Sequence, residues 1–263
     1  MNRIDKKFNE LRAVGKKAFI AFITAGDPDL QSTEDLALAF EKSGVDILEI
    51  GVPFSDPMAD GPTIQAASFR ALQKGVTLKK ILATVKKIRT SSQIPIALMS
   101  YYNPIFHFGI EKFVAAAQDA GVDGLIIPDL PVDEAGDLCR FAKRANIATI
   151  FFLAPTTAQE RMPAIMKAAT GFIYFVSIAG VTGAKKAVPA DIARQIRLAQ
   201  AMTKKPICVG FGVSTPEQVK AMGRIADGVI VGSAIVKEIE KYAGQKDMAR
   251  CVSRFVGQLS GAL

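Results

Sequence analysis

The chain has few of the residues on which disulfide and metal chemistry depend. Among its 263 residues there are three cysteines and one histidine. Cys139, Cys208 and Cys251 are odd in number and lack C-x-x-C spacing, so they indicate reduced thiols in a cytoplasmic protein. A metal-dependent aldolase needs several ligands, and the lone His107 lies between two phenylalanines, where packing is the simpler interpretation.

Long apolar segments and common catalytic motifs are also missing. The longest apolar runs, such as 18–23 and 172–176, are far shorter than the ~20 residues of a membrane span. Residues 1–17 contain no apolar region of the kind found in secretory signals. No GxSxG elbow, P-loop or GxGxxG sequence occurs. No lysine lies at the end of an apolar run, which argues against a Schiff-base enzyme.

The charge is basic, with a formal net value of +8. The lysines and arginines are spread over amphipathic segments, as in 79–89, without interleaved aromatic residues. This pattern is typical of solvated helix faces, so we expect neither a nucleic-acid partner nor a membrane partner.

Eight short apolar runs recur along the chain and predict strands that are buried on both faces of a parallel sheet. They cover 18–24, 47–51, 96–101, 124–127, 148–153, 172–177, 207–210 and 228–231. Amphipathic segments follow them at 32–43, 78–89, 111–120, 132–145, 158–168, 189–202, 216–222 and 234–242, with a last helix at 247–259. Eight such units in ~250 residues predict an α/β fold, a single (β/α)8 barrel domain over 1–263. An extra N-terminal helix at 4–13 is expected to cover the barrel floor.

A weak internal repeat supports the barrel. Gly44-Val-Asp46, Gly121-Val-Asp123 and Ala226-Asp227 each join the end of a helix to the start of a strand. We interpret these aspartates as turn residues at the lower rim of the barrel rather than as catalysts.

Glu49 is the most unusual residue of the predicted strands. It lies between Leu48 and Ile50 in an apolar run, and alternation of side chains points it into the barrel. A buried carboxyl group without a cation should have a raised pKa, as acid–base catalysis near neutrality requires. A structural Glu paired with a basic residue is the alternative.

Acidic residues and glycines follow the strands at the end where barrel active sites form. Asp56 and Asp60 lie in a proline-rich loop directly after the strand of Glu49, where two acidic groups could share acid and base roles. Glycine-rich turns after the last three strands, including Gly212 and Gly232-Ser233, predict an anion site for a phosphate group.

The segment LEIGVPFSDPMADG at 48–61 resembles the signature of the tryptophan synthase alpha chain family. The resemblance continues over nearly the whole chain, through FIAFITAGD at 19–27, SYYNP at 100–104, PDLP at 128–131, GVTG at 180–183, GFGVS at 210–214 and GSAIV at 232–236. It implies cleavage of indole-3-glycerol phosphate to indole and glyceraldehyde 3-phosphate.

The resemblance also implies roles for individual residues. Glu49 and Asp60 would be the catalytic pair. The phosphate would be held by Gly183, Gly212, Gly232 and Ser233, the indole pocket lined by Phe22, Ile64, Tyr102, Ile127, Tyr174 and Phe211, and a mobile lid would carry Thr182. A beta subunit that contains pyridoxal phosphate would be the partner in an α2β2 heterotetramer, with no cofactor in this chain. Pro53, Asp56 and Asp129 would contact that partner.

Three other functions stay open from the sequence. The chain could be a stand-alone lyase that releases free indole, or another barrel enzyme acting on a phosphorylated sugar. It could also be a non-catalytic activator of a beta partner, although the presence of both Glu49 and Asp60 disfavours that hypothesis.

Overall fold

The computed structural model describes residues 1–176, 190–210 and 212–263. Within them eight parallel strands close into a barrel in chain order, and the last strand pairs with the first. The strands are β1 (Ala18–Thr24), β2 (Ile47–Gly51), β3 (Ile96–Met99), β4 (Gly124–Ile126), β5 (Ala148–Leu153), β6 (Ile173–Val176), β7 (Ile207–Gly210) and β8 (Gly228–Val231). The predicted (β/α)8 barrel is therefore confirmed.

Helices surround the barrel in the described part of the chain. They are α1 (Arg3–Ala13), α2 (Leu30–Lys42), α3 (Pro62–Gln73), α4 (Leu78–Arg89), α5 (Tyr102–Phe108), α6 (Ile110–Ala120), α7 (Gly136–Arg144), α8 (Met162–Ala168), α9 (Ala190–Met202), α10 (Pro216–Gly223), α11 (Ser233–Tyr242) and α12 (Met248–Ser260). Across the described residues, no helix combines the length and the apolar character needed to cross a membrane.

Alternation along each strand divides the apolar residues between two cores. In β2, Ile47 belongs to the cluster inside the barrel, whereas Leu48 and Ile50 belong to the larger cluster between strands and helices. Because both faces are covered, the strands are apolar almost throughout. This is why short apolar runs located all eight strands, to within two residues at the ends that the structure describes.

Helix α1 fills the lower end of the barrel, as the sequence predicted. The Asn2 side chain caps its N-terminus by accepting a hydrogen bond from the Ile4 backbone N–H. Ile4 and Phe8 are buried in the inner cluster. A Cβ atom at Gly124 would lie 2.8 Å from the Ile4 side chain, so the glycine leaves the space that this helix fills.

The rim aspartates form a repeated contact at this lower end. Asp46, Asp123 and Asp227 precede β2, β4 and β8, and their side chains accept hydrogen bonds from the backbone N–H of Phe19, Ile96 and Ile207 respectively. Before β6 a hydroxyl group takes the same place, since the Thr170 side chain accepts from the Thr149 N–H. The structural interpretation of the aspartates is therefore confirmed, and the repeat occurs four times around the barrel.

Two helices were not predicted from the sequence. Helix α3 begins with Pro62 directly after Gly61, in a stretch whose prolines were interpreted as a loop. Helix α5 is a short helix with Pro104 in its first turn, and His107 lies in its last turn. Proline is compatible with the first turn of a helix, because the N–H groups there have no partner within the helix.

Three predicted boundaries lay two or more residues beyond the end of the element. Strand β3 ends at Met99 rather than at 101, α7 begins at Gly136 rather than at 132, and α8 begins at Met162 after a 3-10 turn at Gln159–Arg161. Apolar residues continue past these ends, so periodicity alone could not place them. The predicted end of the sixth strand at 177 lies outside the described residues.

We predict that Asp123→Ala lowers the free energy of unfolding by about 3 kcal/mol, because it leaves the largely buried Arg89 without a counter-charge. Asp123 is 4% exposed and forms ion pairs with Arg89 (2.7 Å) and Arg3 (2.9 Å). Urea unfolding should show this loss, whereas Asp119→Ala, which removes an exposed pair with Lys86, should cost less than about 1 kcal/mol. Equal losses of unfolding free energy in the two variants would contradict the prediction that Asp123 contributes more to stability than Asp119.

Candidate active site

The carboxyl group of Glu49 lies inside the barrel. Glu49 pairs in register with Phe22 of β1 and Ala97 of β3, and it is 1% exposed. Among the described residues neither of its carboxyl oxygens has a hydrogen-bond partner, so the alternative of a structural ion pair finds no support there. Burial, and secondarily the charge of Asp60, raises the pKa of Glu49 to about 8.

Asp60 lies above Glu49 in the turn that precedes α3. Its backbone N–H donates to the Pro57 carbonyl, and its own carbonyl accepts from the Gln65 side chain on α3. Burial raises the pKa of Asp60 to about 6, and a hydrogen bond with Tyr101 partly offsets this rise. Two carboxyl groups with different pKa values therefore face the same space.

Tyr101 holds the Asp60 turn from the side of β3. Its hydroxyl oxygen accepts a hydrogen bond from the Ala59 N–H (2.8 Å), one residue before Asp60. Its ring packs at 5.3 Å from that of Phe54, which lies in the same loop. Tyr101, which follows β3, was not among the predicted site residues, because the resemblance pointed to its neighbour.

That neighbour, Tyr102, lies outside the cleft beside Asp60. The Tyr102 N–H donates to the Asp129 carboxylate (2.9 Å), and its ring lies 5.9 Å from that of Phe106. Tyr102 packs against the outer core cluster, to which Ile127 also belongs. Tyr101 is thus among the residues that line this cleft, and the pocket roles of Tyr102 and Ile127 stay predictions.

Two aromatic rings flank Glu49 because glycines make room for them. A Cβ atom at Gly51 would come within 2.6 Å of the Phe22 ring, and one at Gly210 within 2.6 Å of the Tyr174 hydroxyl. Burial and the charge of Glu49 raise the pKa of Tyr174. Phe22 and Tyr174, both predicted to line a pocket, therefore lie next to the buried acid.

A cleft opens beside these groups and encloses about 260 Å³ of atom-free space, part of it open to solvent. Its lining combines apolar side chains with four hydroxyl groups and one carboxyl group: Phe22, Thr24, Gly51, Val52, Asp60, Ile64, Ser68, Met99, Ser100 and Tyr101. Among the described residues the buried Thr24 hydroxyl has no hydrogen-bond partner. A cleft lined by both apolar and polar groups suits a ligand that carries both.

The predicted phosphate residues are described only in part. Gly212 has a positive φ of 72°, and Gly232 and Ser233 form the N-cap and first residue of α11. A Cβ atom at Gly232 would lie 3.3 Å from the Phe22 ring, which places this helix N-terminus beside the cleft. The predictions for Gly183, Thr182 and Phe211 fall outside the described residues.

The predicted partner residues lie in loops at the same end of the barrel. Pro53 is buried. Asp56 is exposed and accepts a hydrogen bond from the Ser55 hydroxyl. Asp129 is exposed apart from its contact with Tyr102.

A buried acid and a second carboxyl group at the C-terminal mouth of a parallel barrel form the arrangement of an acid–base enzyme. Within the described residues no group of three or more His, Cys, Asp or Glu side chains is placed to hold a metal ion.

Comparison with known proteins identifies the family. The family profile described as "Tryptophan synthase alpha chain" matches residues 8–262. The alpha chains of Geotalea daltonii and Thermoanaerobacter sp. strain X514 are each 49% identical over 263 residues; the match covers all of this chain and 99% and 100% of theirs. The chain therefore belongs to the tryptophan synthase alpha chain family, whose members are lyases of tryptophan biosynthesis.

Solved structures agree with this assignment. The alpha subunit of Legionella pneumophila str. Paris superposes with a TM-score of 0.92 at 40% identity, covering 100% of this chain and 98% of that one. A chain from the tryptophan synthase a2b2 complex of Pyrococcus furiosus gives a TM-score of 0.87 at 41% identity, covering 93% and 98%.

We predict that Glu49→Gln is more stable than the wild type at pH 8, by an amount that shrinks as the pH falls to 5. The folded-state pKa of Glu49 is raised from 4.5 to about 8, so the folded protein binds the extra proton between these values. The free energy of unfolding of the wild type is therefore highest below pH 4.5. It falls by a few kcal/mol as the pH rises from there through 8.

Urea unfolding of both proteins at pH 5 and pH 8 measures this difference. The exposed Glu134→Gln is the matched control and should follow the wild type at both pH values. A stability difference between Glu49→Gln and wild type that does not change with pH would rule out the raised pKa.

Proposed function

We propose that the chain catalyses the alpha reaction of tryptophan synthase, the aldol cleavage of indole-3-glycerol phosphate to indole and glyceraldehyde 3-phosphate. The observation that carries the proposal is the carboxyl group of Glu49, which has no hydrogen-bond partner among the described residues and whose pKa burial raises to about 8. Near neutral pH this group holds a proton that it can donate.

Glu49 would act first as an acid and then as a base. It donates its proton to C3 of the indole ring, which leaves a cationic indolenine. The resulting carboxylate accepts the proton of the adjacent glycerol hydroxyl as the carbon–carbon bond breaks. The bonding electrons return to the ring, so indole leaves neutral, the aldehyde forms and Glu49 regains its proton.

Asp60 would bind the indole N–H and stabilise the positive charge of the indolenine. A pKa of about 6 leaves it mostly ionised near pH 7, which suits a residue that faces a developing cation. The Tyr101 hydroxyl, which accepts a hydrogen bond from the Ala59 N–H, would hold the turn that carries Asp60.

The same orientation of the substrate gives roles to the other residues of the proposed pocket. The indole ring would lie against Phe22, Ile64 and Tyr174, with Phe211 completing its rim; Tyr102 and Ile127 would contribute from outside the cleft. The phosphate would lie at the N-terminus of α11, with Gly183, Gly212, Gly232 and Ser233 as its cradle and Thr182 on the closing lid. The positive end of the helix dipole favours an anion there.

We predict that Glu49→Gln and Asp60→Asn each lower the rate of substrate cleavage by at least about 100-fold. Glutamine cannot exchange the proton, and asparagine cannot carry the charge that stabilises the intermediate. Indole release from indole-3-glycerol phosphate, measured with and without a beta subunit, checks both.

The exposed Glu134→Gln should keep wild-type activity in the same assay. Undiminished cleavage by Glu49→Gln would show that the mechanism is wrong, and no cleavage by the wild type with a beta subunit would remove the proposed function altogether.

We also propose that the chain works in a cytoplasmic α2β2 heterotetramer, with pyridoxal phosphate in the beta subunit and no cofactor of its own. Pro53, Asp56 and Asp129 would contact the partner at the mouth of the barrel. Two large apolar side chains at the same end of the barrel support this surface: Met58, in the loop of Asp56, is 84% exposed, and Phe106 of α5 is 66% exposed. The Pyrococcus furiosus structure is of an a2b2 complex.

We predict that Met58→Asp weakens binding to a beta subunit by about tenfold or more, because it places a charge in an apolar contact. Val14→Asp is the matched control: Val14 is also exposed but lies after α1, at the opposite end of the barrel. Calorimetric titration of both variants with a beta subunit measures the effect. Equal affinities for the two variants would exclude this loop from the interface.

A further inference from the structure

Arg70 of α3 makes the most extensive ion-pair contact near the active-site end of the described chain. Its Nε and Nη2 atoms each donate at 2.8 Å to one carboxylate oxygen of Asp27, which is 4% exposed. Its Nη1 atom donates to Glu240 of α11 at 2.7 Å. One planar guanidinium thus joins three separate parts of the fold.

Each of these parts carries residues of the proposed site. Asp27 closes the turn after β1, where its N–H donates to the carbonyl of Thr24, a residue of the cleft. Helix α3 contributes Ile64 and Ser68 to the cleft. Helix α11, which carries Glu240 near its end, begins at the proposed phosphate site.

Asp60 is attached to α3 through the backbone. The Gln65 side chain donates to the Asp60 carbonyl at 2.9 Å. The N–H groups of Ile64 and Gln65 both donate to the Gly61 carbonyl at 3.0 Å. A shift of α3 would therefore carry Asp60 with it.

Apolar packing alone gives α3 a weak anchor. Its buried residues are Ala67, Ser68 and Ala71, all small, whereas α4 buries Ile81, Leu82, Val85 and Ile88 besides a threonine. Since stabilisation by burial scales with apolar area, small side chains fix the position of a helix less firmly than large ones. The polar contacts of Arg70 therefore add a constraint on α3 that its small buried side chains do not supply.

We infer that Arg70 is a positioning residue of the active site, which holds α3 against the β1 turn and α11 so that Asp60 faces the substrate over Glu49. The inference rests on the proposed function. Arg70 acts through α3 and Asp60, and it is not among the residues that line the cleft.

The experiment compares four variants with the wild type: Arg70→Lys, Arg70→Gln, Asp27→Asn, and the double variant Asp27→Asn/Arg70→Gln. Arg70→Gln leaves the buried Asp27 without its cation and should lower Tm most. The double variant removes both charges, so it should recover at least half of that loss. Arg70→Lys keeps the charge but loses the bidentate contact with Asp27.

Kinetics at a temperature where all variants are folded separate positioning from stability. We expect kcat to fall about tenfold or more in the double variant despite its recovered Tm, with KM for indole-3-glycerol phosphate changed less than threefold. The kcat of Arg70→Lys should lie between that of the wild type and that of the double variant. Lys86→Gln, which breaks an exposed ion pair between α4 and α6, should leave kcat and Tm unchanged.

Wild-type kcat in the double variant under those conditions would overturn the inference and leave Arg70 with a role in stability alone. A large rise in KM at constant kcat would overturn it too, because that result places the effect on binding rather than on Asp60. A wild type that does not cleave the substrate would instead remove the proposed function on which the inference rests.

Discussion

The carboxyl group of Glu49 lies in the closed interior of the barrel, where within the described chain no cation or hydrogen-bond donor compensates it. An ionised carboxylate there would be very costly, so burial raises the pKa of Glu49 to about 8 and the group is mostly protonated at pH 7. The residues around Glu49 help to keep its carboxyl group protonated. Gly51 and Gly210 leave room for aromatic rings that keep water away, and Asp60 lies close enough to raise the pKa of Glu49 further.

Buried carboxyl groups have opposite surroundings at the two ends of the barrel. At the lower end Asp123 is as inaccessible as Glu49, yet it has two arginines and a backbone N–H as partners. These partners compensate the carboxylate, which contributes to stability. At the upper end Glu49 has no hydrogen-bond partner among the described residues, which costs stability and yields a proton donor. The site is therefore a place where the fold gives up stability for chemistry.

Much of the fold followed from simple patterns. Eight apolar runs located eight strands, because strands buried on both faces contain little else. Glu49 was found for the same reason, as one carboxylate in an otherwise apolar run. Helix α3 was missed because prolines and small residues hide its apolar face, and the fourth rim contact was missed because Thr170 replaces an aspartate.

Contacts between distant parts of the chain could not be predicted from the sequence. Nothing local shows that Tyr101 rather than Tyr102 meets the Asp60 turn, since the two are adjacent and identical in type. The contact between Arg70 and Asp27 joins residues 43 positions apart, and only the closed barrel brings them together. Residue type and period predict which side chains are buried, whereas partners are set by three-dimensional packing.

The protonation state of Glu49 is the central claim, and infrared difference spectroscopy measures it directly. The spectrum of the wild type minus that of Glu49→Gln, recorded across a pH titration, isolates the carbonyl band of one protonated carboxyl group. The account predicts that this band persists at pH 7 and disappears with a midpoint near 8. A midpoint near the ordinary value of 4.5, with the carboxylate bands already present at pH 6, would contradict it.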